Sequence, residues 1–471
     1  MYDEIAFRPA REMADMLRRR EISARELLAA HLARIATVNP AINAVVTLSA
    51  DRALEEAAAA DERLASGAPV GPLHGLPMAH KDTHDTAGIR TTYGSPFLTG
   101  NVPDRDELVI ERLRAAGAIT IGKTNVPEFA AGSHTFNPVF GATLNPYDTT
   151  RSAGGSSGGA AAALAAGLHA LADGSDMGGS LRNPASFNNV VGLRPSPGRV
   201  PTYPAPLGWS TLSVQGPMAR DVADTALLLS VMAGPDPRSP IALDTPGREF
   251  AAPLDRDLTG LRVAWTPDLG GAFQAERAVL EVLAPAVRVF EELGCRVEET
   301  APDLTGADEV FRTLRAWTFE SAYGHLLDAD PQRLKASLAW NIEEGRKLAG
   351  PDIARAERLR TEIFHRVREF FEHYDVLLLP VSQVVPFDAR LEYPADIDGV
   401  PQATYLDWMR SAYHITVTGG PALSVPAGFT PEGLPVGLQI VGPHRADRFV
   451  LEVGHAFEQA TGFGRRRPPL S

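Results

Sequence analysis

A chain of 471 residues is long enough to bury a large core and would allow two or three domains. Its 44% hydrophobic and 22% charged content exclude a disordered chain, and a formal charge of -13, with Arg465-Arg466-Arg467 the only dense basic run, argues against a nucleic-acid-binding face. Cys295 is the sole cysteine, so neither an intrachain disulfide nor a cysteine-based zinc cluster is available.

The first residues, Met1-Tyr2-Asp3-Glu4, carry two acids and no apolar run, unlike a secretory signal, and no stretch reaches the roughly 18 apolar residues of a membrane-spanning helix. The expectation is a cytoplasmic protein with no membrane partner. Leu17, Leu27, Leu28, Leu32 and Ile35 fall at helical spacing, and Ser23 three residues before Glu26 is a capping-box signature for a second helix start. Residues 48–64 predict an alanine-rich helix that ends at the Ser66-Gly67 breaker. Residues 68–77 are turn and extended chain leading into Met78-Ala79-His80-Lys81-Asp82. A helix over 107–116 and a short strand over 118–122 follow, and the alanine run from Ala160 predicts a buried helix. This succession points to an α/β fold around a mixed sheet.

Residues 261–265 and 295–298 predict strands flanking a helix over 275–292, and Cys295 at the helix-to-strand handover has a structural reading. The turn Thr266-Pro267-Asp268-Leu269-Gly270-Gly271 lacks the G-x-G-x-x-G of a dinucleotide site. Residues 308–374 are mostly helical. Strands are predicted over 374–380, 422–426 and 436–442, and a closing helix over 447–461. No internal repeat and no long polar linker interrupts the chain. The expected organisation is one domain, 1–471, with a helical region at about 10–65, a core at about 70–230, and a helical excursion at about 308–374 that shapes the substrate pocket.

The chemistry centres on Gly154-Gly155-Ser156-Ser157-Gly158-Gly159 and on Asp176-Met177-Gly178-Gly179-Ser180. Two glycine-embedded serines, with Lys81 upstream, point to a serine nucleophile that uses no histidine, since serine needs a neighbouring base to react. Glycines let the backbone approach a substrate and turn its amides toward it. A flexible linker would not run straight into an alanine-rich helix. A phosphate loop would end in Gly-Lys-Ser/Thr, which is missing. Acidic pairs are abundant, and none stands out as the pair of a two-carboxylate hydrolase. His74, His80 and His84 form the only local histidine cluster and lack a companion carboxylate or cysteine pattern for a metal, so no metal or other cofactor is expected.

Gly75-Leu76-Pro77 running into Lys81-Asp82, the two glycine-serine segments, Glu128-Phe129-Ala130, Phe140-Gly141-Ala142-Thr143-Leu144-Asn145-Pro146, Val191-Gly192-Leu193-Arg194-Pro195, Gly198-Arg199-Val200 and Gly433-Leu434-Pro435-Val436-Gly437-Leu438-Gln439 together resemble the amidase signature family. The resemblance runs from about residue 20 to 460. It implies the amidase-signature fold, a large mixed β-sheet covered by helices on both faces, and a Ser-cisSer-Lys triad: Ser180 as nucleophile, Ser156 as bridging serine after a cis peptide, and Lys81 as base. Lysine accepts a proton only when neutral, so its ordinary pKa of about 10.4 must fall toward about 7–8. Backbone amides of Met177, Gly178, Gly179 and Ser180 are the expected oxyanion donors. Ser157 and Ser152 are expected to hydrogen-bond around the loop, and Asp176 and Arg182 to hold the segment together.

The implied activity is hydrolysis of a small-molecule carboxylic amide to carboxylate and amine or ammonia, the substrate being neutral or aryl-bearing. Tyr93, Phe129, Phe187 and Trp209, with Phe136 and Tyr203 nearby, are the expected apolar wall. No charge stands out for an α-amino acid's ends. A glutamine-hydrolysing subunit of an aminoacyl-tRNA amidotransferase, which would need partner subunits, is the alternative enzyme, a non-catalytic binding or scaffold protein is the third reading, and a homodimer is among the expected assemblies. His80 and Phe187-Asn188-Asn189 depart from the family pattern beside the triad, and their roles are open.

Overall fold

Local sequence signals set the N-terminal helices of the computed structural model, which describes residues 2–470. Ser23 caps the helix Ala24–Ile42: its Oγ accepts from the Glu26 amide at 3.1 Å, while the Glu26 carboxylate accepts from the Ser23 amide at 2.9 Å. The next helix is Ala50–Ala65 and starts later than its alanine content predicts. Leu48 instead closes a strand, Val45–Leu48, whose β-branched residues pair with Ile119–Thr124. The segment Gly158–Ala165 is a helix with every residue buried, as its composition demands. Among the described residues no helix is long and apolar enough to cross a membrane.

Two sheets organise the chain. The smaller contains β1 (Val45–Leu48), β2 (Pro77–Lys81) and β3 (Ile119–Thr124), with β3 central, antiparallel to β1 and parallel to β2. The larger contains eight strands: β4 (Leu171–Asp176), β5 (Val191–Arg194), β6 (Val214–Ala219), β7 (Arg262–Trp265), β8 (Arg296–Glu299), β9 (Val376–Pro380), β10 (Ala422–Phe429) and β11 (Pro435–Val441). Their spatial order is β8-β7-β9-β11-β10-β5-β6-β4. β7 is parallel to both β8 and β9, and the remaining neighbours are antiparallel, so the sheet is mixed.

Both faces of the large sheet are covered. Along β9, Val376 and Leu378 enter one core with Phe290 and Phe457, whose rings stack at 5.2 Å between the helices Arg277–Glu292 and Asp447–Thr461. Leu377 and Leu379 alternate into a second core with Phe311 and Tyr413, stacked at 4.2 Å between the helices Ala307–Ala329 and Arg410–Thr418. Cys295 is buried just before β8, where its thiol donates to the Leu258 carbonyl at 3.5 Å.

The strand that ends at Lys81 belongs to the small sheet, yet it abuts β4 at the edge of the large one. The Lys81 backbone amide donates to Asp173 Oδ2 at 3.1 Å across that junction. The two glycine-serine segments meet at the same place, where the Ser157 amide donates to the Ser180 carbonyl at 3.1 Å.

Candidate active site

Lys81 is completely buried at the end of a strand whose five residues are all buried. Its Nζ lies 2.7 Å from Ser156 Oγ, 2.9 Å from Ser157 Oγ and 2.9 Å from Ser175 Oγ. Burial pushes the ammonium pKa down to about 7, against the opposing pull of Asp176 and Asp173. A neutral amine has two N–H bonds and one lone pair, so one of these three hydroxyls must donate to Nζ. The Gly155-Ser156 peptide is cis, as the family resemblance implies. Its Gly155 carbonyl accepts from Ser133 Oγ at 2.7 Å.

The second glycine segment is pinned by Asp176. Its carboxylate accepts from the Gly179 amide at 3.0 Å, the Leu181 amide at 3.1 Å, and Arg182 Nε and Nη2 at 3.0 and 2.9 Å. Burial would push this carboxyl up, but Arg182 and Arg194 hold it well below the usual carboxylate range. Arg182 extends the anchor by donating through Nη1 to Gln439 Oε1 on β11 and the Ala412 carbonyl, and through Nη2 to Thr416 Oγ1. Gly179 sits at φ +109°, where a Cβ would stand 2.6 Å from Ala412 Cβ, so only glycine fits. One expected oxyanion donor is therefore corrected: the Gly179 N–H is committed to Asp176. The N–H groups of Met177, Gly178 and Ser180 have no acceptor among the described residues.

A cavity of about 320 Å³ opens onto this assembly, and Ser156, Ser175, Met177 and Ser180 line it. Tyr93 and Phe129 line it as well, with ring centroids 5.9 Å apart, and Phe129 packs against Tyr323 at 4.5 Å. Tyr93, Phe129 and Ala130 all adopt positive φ, which presses the two aromatic rings onto the cavity at some backbone cost.

Two other expected wall residues are elsewhere. Phe187 is fully buried behind the loop, packed against Phe387 and Trp408, because the helix Arg182–Phe187 turns its last residue into the sheet core. Trp209 is 78% exposed and borders a neighbouring groove with Leu314 and Trp317, which shares Leu207, Gly208 and Ser210 with the cavity. Phe136 packs under the Lys335 ammonium, and Tyr203 faces Arg238.

Sequence reasoning missed several wall residues. Ser175, the third hydroxyl on Lys81, lies immediately before the second glycine segment. Arg315, Thr318, Phe319, Ala322 and Tyr323 all line the cavity from the helix Ala307–Ala329. Their 3- and 4-residue spacing is a helical stripe visible in the sequence, although nothing local says what it faces. Glu107 and Gln215 line the wall too, with burial pushing the Glu107 carboxyl up to about 7. No charge stood out in the sequence for an α-amino acid's ends; the structure puts Arg315 and Glu107 on the wall.

The departures at His80, Asn188 and Asn189 have structural explanations. His80 Nδ1 and His84 Nδ1 each contact one oxygen of buried Asp173 at 2.6 Å, directly behind Lys81. Lys123 ties this cluster further by donating to Thr86 Oγ1 at 2.7 Å and to the His84 carbonyl. His74 is not part of it, and reaches the Ala60 carbonyl instead. Among the described residues no group of histidine, cysteine and carboxylate side chains is arranged to hold a metal ion. Asn188 Nδ2, at the C-terminal end of the helix Arg182–Phe187, donates at 2.7 Å to the carbonyl of Ala153, the residue before the first glycine segment. Asn189 donates to the Phe463 carbonyl near the C-terminus. Ser152 Oγ contacts His134 Nδ1 at 2.6 Å, away from Lys81.

Comparison with known proteins places the whole chain. The model of the Amidase family matches residues 26–451. The chain is 37% identical over 463 residues to an acylamidase from Rhodococcus erythropolis, covering 98% of this chain and 96% of that protein. It is 39% identical over 497 residues to a glutamyl-tRNA(Gln) amidotransferase subunit from Moorella thermoacetica, covering 99% of each. Among solved structures, a bacterial aryl acylamidase of the amidase signature family superposes with a TM-score of 0.91 at 29% identity, covering 98% of this chain and 97% of that one.

Proposed function

Because the chain belongs to the amidase family and hydrolyses amide bonds through a serine acyl-enzyme, we propose that Ser180 is its nucleophile, Ser156 its proton bridge and Lys81 its base. The observation that carries this reading is Lys81 Nζ held 2.7 Å from Ser156 Oγ, wholly buried with its pKa pushed down to about 7, beside a cavity that Ser180 also lines.

In the acylation step Ser156 passes its proton to Lys81 and takes the proton of Ser180, whose Oγ bonds to the amide carbon. The carbonyl oxygen becomes an oxyanion that accepts from the free N–H groups of Met177, Gly178 and Ser180. Collapse breaks the C–N bond while the proton on Lys81 returns through Ser156 to the leaving nitrogen, which departs as the amine. Water then attacks the acyl ester, gives up a proton along the same relay, and releases the carboxylate with Ser180 restored. Asp176 and Arg182 keep the loop in register for both steps.

The substrate we propose is a small aryl-bearing amide, favoured over free glutamine, because Tyr93, Phe129, Phe319 and Tyr323 supply an aromatic lining. A second reading, the glutamine-hydrolysing component of an amidotransferase, is favoured by the 39% identity to such a protein and by Arg315 and the carboxyl of Glu107 on the wall. Labelling with a fluorophosphonate and locating the adduct by mass spectrometry tests the nucleophile; an adduct on any residue other than Ser180 refutes it. Relative kcat/KM for anilides and glutamine by the lone chain separates the two substrate readings.

A further inference from the structure

Arg315 stands apart from the buried arginines Arg182, Arg194 and Arg199. Arg182 and Arg194 share Asp176, and Arg199 pairs with Asp447 at 3.0 Å. Arg315 is only 4% exposed, yet no carboxylate among the described residues comes within ion-pair distance. Its Nε is shared between Asn341 Oδ1 at 3.2 Å and the Tyr405 hydroxyl at 3.3 Å. Nη2 donates to that hydroxyl at 2.9 Å, and Nη1 reaches only the Met177 sulfur, at 3.2 Å. The guanidinium carbon lies 4.3 Å from the Phe319 ring centroid. Aromatic faces and neutral acceptors soften the burial of a cation without neutralising it. Of five N–H donors, one remains on each terminal nitrogen, and the thioether of Met177 is a weak, displaceable acceptor. Such a pair of parallel donors matches a carboxylate.

We propose that Arg315, on the wall of the same cavity as Ser180, receives a carboxylate carried by the substrate, so that the preferred substrate is an aryl amide with an anionic end. This rests on the aryl-amide reading above and adds the charge that completes the site. Arg315 is then a specificity-determining residue, and Met177 is the link through which an occupied Arg315 contacts the nucleophile segment.

The test compares matched anilides that differ only in the carboxylate: 4-acetamidobenzoate against 4-acetamidobenzyl alcohol, and succinanilic acid against butyranilide. The wild-type chain should favour the carboxylate member in at least one pair by about 30-fold in kcat/KM, the scale of a charge-assisted hydrogen-bonded contact. R315Q should erase that preference to within about threefold, and R315K should restore part of it as a point charge without the fork. Fluorophosphonate labelling at Ser180 in both variants shows that the site is assembled. Benzoate binding by calorimetry reads the subsite without turnover, and should weaken about tenfold or more in R315Q. Anilide turnover with no preference for either carboxylate overturns this proposal and leaves the aryl-amide reading standing. Arg315-dependent benzoate binding without any anilide turnover does the reverse. Benzoate binding equal in wild type and R315Q overturns it outright.

Discussion

Around Lys81 and Asp176 the polar groups are bound to one another: three serine hydroxyls on the lysine, and two amides and two arginines on the aspartate. At Arg315, on the helix Ala307–Ala329, the opposite holds, since its guanidinium is buried against aromatic rings and neutral acceptors and keeps donors in reserve. The first wall fixes protonation states and loop geometry before a substrate arrives, which is how preorganised electrostatics accelerates a reaction. The second leaves interactions to be completed by the ligand. On the roles proposed above, chemistry and specificity are carried by different elements, and substitutions on the two walls should fail in different ways.

The largest effect should come from Ser180→Ala, which ought to lower kcat by at least about 10⁴-fold while leaving the melting temperature close to wild type, as measured by anilide turnover and thermal unfolding. Asp176→Asn should break the fixed wall by stability instead. Removing the charge leaves two buried arginines unpaired, so unfolding should become easier by about 3–5 kcal/mol in denaturant titrations. An unchanged midpoint would mean that Asp176 does not organise the loop.

Lys81 sharpens the contrast through pH. Wild-type kcat/KM should rise as pH increases through about 7, because the base works only when neutral. The sign for stability follows from the same depressed pKa: between about pH 7 and 10 the unfolded chain binds a proton that the folded chain does not, so stability rises with pH in that window. Relative to Lys81→Met, the wild type should gain about 1.4 kcal/mol per pH unit there. A pH-independent difference between the two proteins would contradict a buried neutral lysine.

On the substrate wall the effects are smaller and fall on binding. Tyr323→Ala, which removes the ring packed on Phe129, should raise KM for anilides by about tenfold with little change in kcat. Trp209→Ala, outside the cavity and 78% exposed, should change stability by no more than about 0.5 kcal/mol and leave KM alone. A large rise in KM for this variant would place the substrate partly in the neighbouring groove.

By itself the sequence determined what depends on near neighbours. The Ser23–Glu26 capping box, the buried alanine helix Gly158–Ala165 and the helix Asp447–Thr461 are written in spacing and composition, and each formed where those signals pointed. The meeting of the first glycine-serine segment with Lys81 was legible too, through the family resemblance of the two motifs. Tertiary structure decided the rest. The strands β4 and β6 read Leu-Ala-Asp-Gly-Ser-Asp and Val-Gln-Gly-Pro-Met-Ala, which carry little β-propensity, and no local pattern predicts them. They exist because each pairs with the other, Gly216 opposite Gly174 and Pro217 opposite Asp173, where the lack of bulky side chains allows close packing over the loop. The wall was decided in the same way. Phe187 and Trp209 lie beside the motifs in sequence but face a core and the solvent, while Arg315 and Tyr323, over a hundred residues downstream, close the cavity. Sequence proximity cannot report which way a helix end turns, because that direction is fixed by the packing of elements distant in the chain.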